Sequence, residues 1–190
     1  MREEHKNTGR KILSPITNFF IKLRITPNVL TVSSLPLSIV ACYFFSQGHR
    51  WLGGIFLLLI GLFDTIDGEV ARKSGKMSKY GAFLDSVTDR IAEFFIFLGF
   101  FLYYQENWIS ILIFCTLVSS ILVSYVRARA EGIGEDCKIG IMERPVRFAL
   151  MFFGVFILGY RLLPIAFSII LIGNIYTIIQ RIFYVFNKNK

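Results

Sequence analysis

Residues 51–101 read WLGGIFLLLIGLFDTIDGEVARKSGKMSKYGAFLDSVTDRIAEFFIFLGFF. Their two ends, 55–63 and 94–101, are apolar on every helical face and carry no charge. An amphipathic surface helix keeps one polar face and a half-buried strand alternates, so neither pattern fits. A helix surrounded by lipid does. Between the two runs lie Asp64, Asp67, Glu69, Asp85, Asp89 and Glu93, six of the chain's 13 acidic residues.

Outward from this stretch the apolar character continues. Segments of about 20 residues, long enough to cross a hydrocarbon core of about 30 Å, follow one another from residue 27 to residue 186. The reading is an all-α membrane protein with six transmembrane helices at 27–47, 51–73, 80–104, 107–129, 144–160 and 163–186. A barrel would need shorter, strictly alternating segments. Composition agrees: of 190 residues 54% are hydrophobic and 16% aromatic, and 20 Phe exceed what a small soluble core can hide.

Residues 1–24 differ in kind. Arg2, Lys6, Arg10, Lys11, Lys22 and Arg24 accompany an apolar stripe of Ile12, Leu13, Ile16, Phe19, Phe20 and Leu23 at helical spacing. That is too polar to span and lacks a small-residue cleavage site, so an interfacial amphipathic helix is expected ahead of the bundle. The chain reads as one domain over 1–190, without repeats or linkers.

All of the 21 Lys and Arg except Arg50, Arg90 and Arg161 cluster at the N-terminus, in 72–79, in 127–147 or toward the C-terminus. The positive-inside rule makes those regions, both termini and the acidic segment cytoplasmic in a multi-pass cell-membrane protein. Trp51, Tyr103, Tyr104, Trp108 and Tyr160 then form the far aromatic belt. The net charge of +8 is accounted for by this bias and by anionic lipid, so no nucleic-acid partner is expected. Cys42, Cys115 and Cys137 are odd in number and unpaired in spacing, and imply neither disulfide nor zinc.

A carboxylate within a span costs about 2.5 to 3.5 kcal/mol on insertion scales, so a group of them needs compensation or a function. Asp64, Asp67, Gly68 and Ala71 make one helical stripe, and Gly81, Asp85 and Asp89 another. The two helices are consecutive and antiparallel, so the stripes can face each other, with Gly68, Ala71 and Gly81 leaving room for a ligand. Four converging carboxylates without His or Cys select hard cations, Mg²⁺ first and Mn²⁺ as substitute. Two such ions suit a diphosphate undergoing in-line displacement. A cation transporter is the competing class, but carboxylates at one membrane face only mark no path across it.

Read as D-x-x-D-G-x-x-A-R, eight residues, then G-x-x-x-D-x-x-x-D, the segment from Asp64 to Asp89 resembles the signature of the CDP-alcohol phosphotransferases at every specified position. The resemblance implies six transmembrane helices behind a membrane-surface helix, homodimerisation, and transfer of a phosphatidyl- or archaetidyl-type group from CDP-diacylglycerol or CDP-archaeol to an alcohol with release of CMP. It implies that Asp64, Asp67 and Asp85 ligate one ion, that Asp64, Asp85 and Asp89 border a second, and that Asp89 is also the general base. Pro27, Asn28, Val29, Leu30, Gly68, Arg72 and Ser78 match CDP-lipid-binding positions.

The stretch 124–147, SYVRARAEGIGEDCKIGIMERPVR, resembles the inositol-phosphate branch of that family. It implies that Arg127, Arg144 and Arg147, with Arg181 in the last span, bind the phosphate of inositol phosphate. Arg127 stands where the branch has Lys, which keeps the charge and changes the hydrogen-bond geometry. Glycerol 3-phosphate is the alternative acceptor, disfavoured because Asp85–Asp89 lacks the D-P-x-x-D pattern of glycerophosphate synthases.

Overall fold

A computed structural model describes residues 14–188, which are helical with no strand among them. Residues 14–22 form α1, followed by α2 (Pro27–Ser46), α3 (Arg50–Lys73), α4 (Lys79–Tyr103), α5 (Asn107–Gly132), α6 (Arg144–Phe153), a π-helical turn (Gly154–Leu158) and α7 (Gly159–Lys188). Ile12, Leu13 and the rest of 1–13 lie outside the described residues.

The chain builds two groups of three helices. α2 packs between α3 and α4, α7 packs on α5 and the α6–π segment, and the groups meet through α4 with α5 and α3 with α6. Glycine sets the closest approach. A Cβ on Gly99 would fall 2.7 Å from the carbonyl oxygen of Cys42, so α4 lies against the backbone of α2. Phe45, Leu57, Ile60, Phe97, Phe100 and Phe167 fill the centre, whereas Ile157, Ile172 and Phe183 are exposed. An apolar exterior around a close-packed apolar centre suits a lipid solvent.

By length, hydropathy and charge, α2, α3, α5 and the stretch Arg144–Lys188 each qualify as membrane-crossing. α4 is 25 residues long, but Asp85, Asp89, Arg90 and Glu93 crowd its first half. The 45-residue stretch doubles back on itself. Gly159 takes φ +67°, open to glycine at little cost, and a Cβ on Gly154 would touch Leu163 and Ala166, residues that a continuous helix would carry far away. The reversal sits at Gly159 rather than at 161–162 as the sequence suggested.

Before α2, Arg24 adopts φ 56° and ends α1, and Pro27 starts α2 at a position where its missing N–H is harmless. Phe20 meets Phe63 edge-on at 6.2 Å, and the Lys73 Nζ donates to Ser14 Oγ at 2.9 Å, fastening α1 to α3. Ile16, Phe19 and Leu23 remain exposed. The N-termini of α2, α4 and α6 and the C-termini of α3 and α5 gather at the end where the acidic residues lie.

Candidate active site

At that end the facing stripes of α3 and α4 meet. Asp64, Asp85 and Asp89 each bring a carboxylate oxygen within 4.8 Å of the others. Arg144, at the start of α6, places Nη1 2.7 Å from both Asp64 Oδ1 and Asp89 Oδ2. Arg90 approaches the same Asp89 oxygen at 3.5 Å and donates to the Ser86 carbonyl at 2.8 Å. Asp85 Oδ1 and Arg144 Nε are buried without a hydrogen-bond partner.

Asp67 stands slightly apart. It is 6% exposed and accepts a hydrogen bond from Thr31 Oγ1 on α2 at 2.6 Å, so it reaches the cluster from the α2 side. Three carboxylates in mutual reach, one of which also carries a buried oxygen without a hydrogen-bond partner, fit a hard divalent cation. Asp64, Asp85 and Asp89 would hold it, with Asp67 beside them.

Three cavities open from this cluster. The first, about 450 Å³, runs between α2, α3 and the α3–α4 loop, and is lined by Asp67, Asp85, Asn28, Arg72 and Ser78. Ser78 caps α4, accepting from the Gly81 N–H at 2.9 Å. Arg72 pairs with Glu69 at 3.0 Å and leans over Gly68. Of the residues matched to CDP-lipid binding, Pro27, Asn28, Gly68, Arg72 and Ser78 line this cavity. Val29 is exposed and Leu30 is buried with Ile66 and Val70. At about 100° per residue, Pro27, Asn28 and Thr31 fall within one arc of α2, and Val29 and Leu30 fall outside it. Thr31, one turn beyond Pro27, lines it instead; the sequence reading missed it, although its i+4 spacing from Pro27 is the signal.

The second cavity, about 490 Å³, lies between α4 and α5 and is lined by Asp89, Arg90, Ser124, Tyr125, Arg127 and Arg144. Arg127 and Arg144 thus come together beside Asp89, with Arg90, which the sequence reading set apart from the basic clusters, as a third cation. Arg127 also bonds Glu131 at 2.8 Å. Arg147 and Arg181 are elsewhere, 1% and 2% exposed. Arg147 is engaged by Glu93 and the Met142 carbonyl, and Arg181 donates to the carbonyls of Ile139 at 2.8 Å and Val123 at 2.5 Å. Both guanidinium groups thus bond to partners within the bundle.

The third is an apolar groove of about 390 Å³ between α3 and α6, running from Asp64 and Arg144 past Phe148, Phe152 and Phe153. A carboxylate cluster suited to a hard cation thus joins a polar cavity, a cationic cavity and an apolar groove, all at one end of a lipid-facing bundle. These features define an integral membrane protein whose site is built for a charged, phosphate-bearing substrate with an apolar tail.

The chain belongs to the CDP-alcohol phosphatidyltransferase family, whose model matches residues 24–184. It is 35% identical over 188 residues to the phosphatidylinositol phosphate synthase of Streptomyces avermitilis, covering 90% of this chain and 77% of that protein. It is 36% identical over 172 residues to the archaetidylinositol phosphate synthase of Pyrococcus horikoshii, covering 90% and 89%. Among solved structures, the phosphatidylinositol phosphate synthase of Mycobacterium tuberculosis with CDP-DAG bound superposes with a TM-score of 0.83 at 27% identity, covering 92% of this chain and 94% of that one. The same enzyme in complex with manganese and citrate gives 0.83 at 27% identity, covering 90% and 88%.

Proposed function

We propose that this phosphotransferase moves the phosphatidyl or archaetidyl group of a CDP-lipid onto the hydroxyl of inositol phosphate and releases CMP. The observation that carries the reading is the junction itself, where a carboxylate cluster separates a cavity of nucleotide-binding character from one lined by Arg90, Arg127 and Arg144 and opens onto an apolar groove. The names of the relatives in both bacterial and archaeal lineages support the same acceptor.

In this reading Asn28, Gly68, Arg72 and Ser78 hold the cytidine diphosphate, and the groove beside Phe148 and Phe152 takes a lipid chain. Two divalent ions, Mg²⁺ or Mn²⁺, on Asp64, Asp67, Asp85 and Asp89 supply charge compensation for the diphosphate. Asp89, on the wall of the acceptor cavity, takes the proton from the attacking hydroxyl. That oxygen bonds to the phosphorus carrying the lipid, the bond from this phosphorus to the bridging oxygen breaks, and CMP leaves with the electron pair. Arg127 and Arg144 bind the acceptor phosphate directly.

The membrane arrangement belongs to the same proposal. α2, α3, α4, α5, the α6–π segment and α7 cross six times, α1 lies on the surface with Ile16, Phe19 and Leu23 in lipid, and the site and both termini face the cytoplasm. The family resemblance adds a homodimer. Purified protein given CDP-diacylglycerol, Mg²⁺ and a panel of alcohols and alcohol phosphates tests the acceptor. CMP release with inositol phosphate above all others is expected; preference for glycerol 3-phosphate or unphosphorylated inositol would overturn it.

A further inference from the structure

The end of the bundle opposite the carboxylates carries a cavity that the proposed reaction does not use. It measures about 400 Å³, lies between the start of α3 and the reversal at Gly159, and is lined by Gly48, His49, Arg50, Trp51, Leu52 and Tyr160. Arg50 and Asp64 are 14 positions apart on α3, about 20 Å along the helix. A headgroup at one site is out of reach of the other.

The cation in this cavity is held in place. Arg50 Cζ stands over the Trp51 ring, 4.6 Å from its centroid, and Trp51 is braced edge-on by Phe156 at 5.2 Å. A Cβ on Gly159 would collide with Arg50 Nη1, so the guanidinium occupies the space that the glycine leaves. Tyr160 is fixed in turn, stacked on Tyr103 at 4.0 Å and donating to the Phe45 carbonyl at 3.1 Å. Trp51 and Leu52, 53% and 43% exposed, put the cavity on the lipid-facing rim, outside the hydrogen-bonded interior of this end.

The charge there is unanswered. Among the described residues Arg50 makes no ion pair and no side-chain hydrogen bond, and Glu106, the one acidic residue in the turns at this end, pairs with neither Arg50 nor Arg161. Below the cavity Trp51, Ile55 and Leu58 stand at i, i+4 and i+7, an exposed apolar face running down α3, and Leu58 belongs to the apolar groove already described. A planar cation with free donors at interfacial depth, above an apolar track, matches a phosphate joined to acyl chains.

We propose that this cavity binds the headgroup of an anionic phospholipid in the far leaflet, with Arg50 donating to the phosphodiester, Trp51 beside it and the chains lying along Ile55 and Leu58. The lipid is a resident of the bilayer and takes no part in the reaction. The proposal therefore stands independently of the acceptor assigned to the other end.

The chain has two Trp, so a Trp108→Phe protein reports on Trp51 alone. In neutral detergent micelles its fluorescence is titrated with phosphatidylglycerol brominated near the top of its chains, and separately with phosphatidylcholine brominated alike, whose choline offsets the phosphate charge. Half-maximal quenching is expected at about a tenfold lower mole fraction of phosphatidylglycerol. Equal values would overturn the proposal, and this arm needs no change at the site. In the same background Arg50→Gln should raise the phosphatidylglycerol value about tenfold, the effect of losing one charge-assisted contact. Arg161→Gln removes the same charge from the same end but outside the cavity lining, and should move the value by less than about twofold. No shift for Arg50→Gln would remove the site, and equal shifts for the two variants would reduce it to diffuse surface charge. CMP release at the parent rate verifies the fold of each variant. Inorganic phosphate at millimolar concentration should leave the titration unchanged; recovery of Trp51 fluorescence on adding it would assign the cavity to a soluble anion and overturn the lipid reading.

Discussion

The two ends of the bundle treat their polar groups in opposite ways. At the aromatic end Tyr104 Oη donates to the Tyr160 carbonyl, Tyr160 Oη donates to the Phe45 carbonyl at 3.1 Å, Ser110 Oγ donates to the Tyr104 carbonyl at 2.7 Å, and Tyr103 stacks on Tyr160 with centroids 4.0 Å apart. At the acidic end three carboxylates gather within 4.8 Å, and Asp85 Oδ1 and Arg144 Nε lack partners. Satisfied polar groups in an apolar surround lock helices together. Like charges held in mutual reach store unfavourable energy that a bound ligand relieves, so one end is built to stay closed and the other to receive.

Breaking the acidic end should therefore remove activity without loss of fold. Asp64→Asn or Asp85→Asn takes a charge from the centre of the cluster and is expected to lower CMP release by about a thousandfold or more, with Mn²⁺ binding weakened in calorimetry. The thermal midpoint should hold or rise, since carboxylate repulsion falls. Full turnover by either variant would dissolve the contrast between the ends. Asp89→Asn comes next, with an expected loss of about a hundred- to ten-thousandfold in turnover, as for removal of a general base. It should still bind CDP-diacylglycerol, and near-normal turnover would exclude the proton-transfer role. Arg127→Ala touches only the cationic cavity. Loss of one charge-assisted contact should raise the acceptor KM about tenfold and spare the CDP-lipid KM.

The acidic end was also the more legible of the two in the sequence. Asp64, Asp85 and Asp89 sit on neighbouring antiparallel helices joined by a short loop, and helical spacing alone brings them together. What spacing cannot supply is depth across helices that are distant in the chain. Arg127, Arg144, Arg147 and Arg181 look alike as charges in a basic region, yet two line a cavity and two are sealed in the bundle. Which is which depends on the packing of α5, α6 and α7. Val29 and Leu30 were grouped with Pro27 and Asn28 by adjacency, although four consecutive residues span more than a full helical turn and cannot all face one cavity. Glu93 continues the Asp85–Asp89 stripe at i+8, a periodicity in plain view that the motif boundary obscured.

The smallest expected effect lies at the closed end, and it tests whether the two ends are independent. Pro164 sits inside α7 and has no N–H, so the carbonyl of Tyr160, four residues earlier, loses its helical donor. The Tyr104 hydroxyl replaces that donor. Phenylalanine at 104 would keep the ring contacts with Tyr103 and Tyr160 and leave the carbonyl bare in a low-dielectric surround. The expected cost is about 1 kcal/mol, because hydrogen bonds within membranes are worth little more than those in water. For a chain of this size that is a fall of roughly 2 to 4 °C in thermal midpoint. Both KM values and the turnover should stay at parent levels, since no described contact of Tyr104 reaches the carboxylates. A Tyr104→Phe protein that loses activity in proportion to stability would show that the aromatic closure sets the geometry of the acidic end through α4 and α7, and the division between a structural and a receiving end would have to be abandoned.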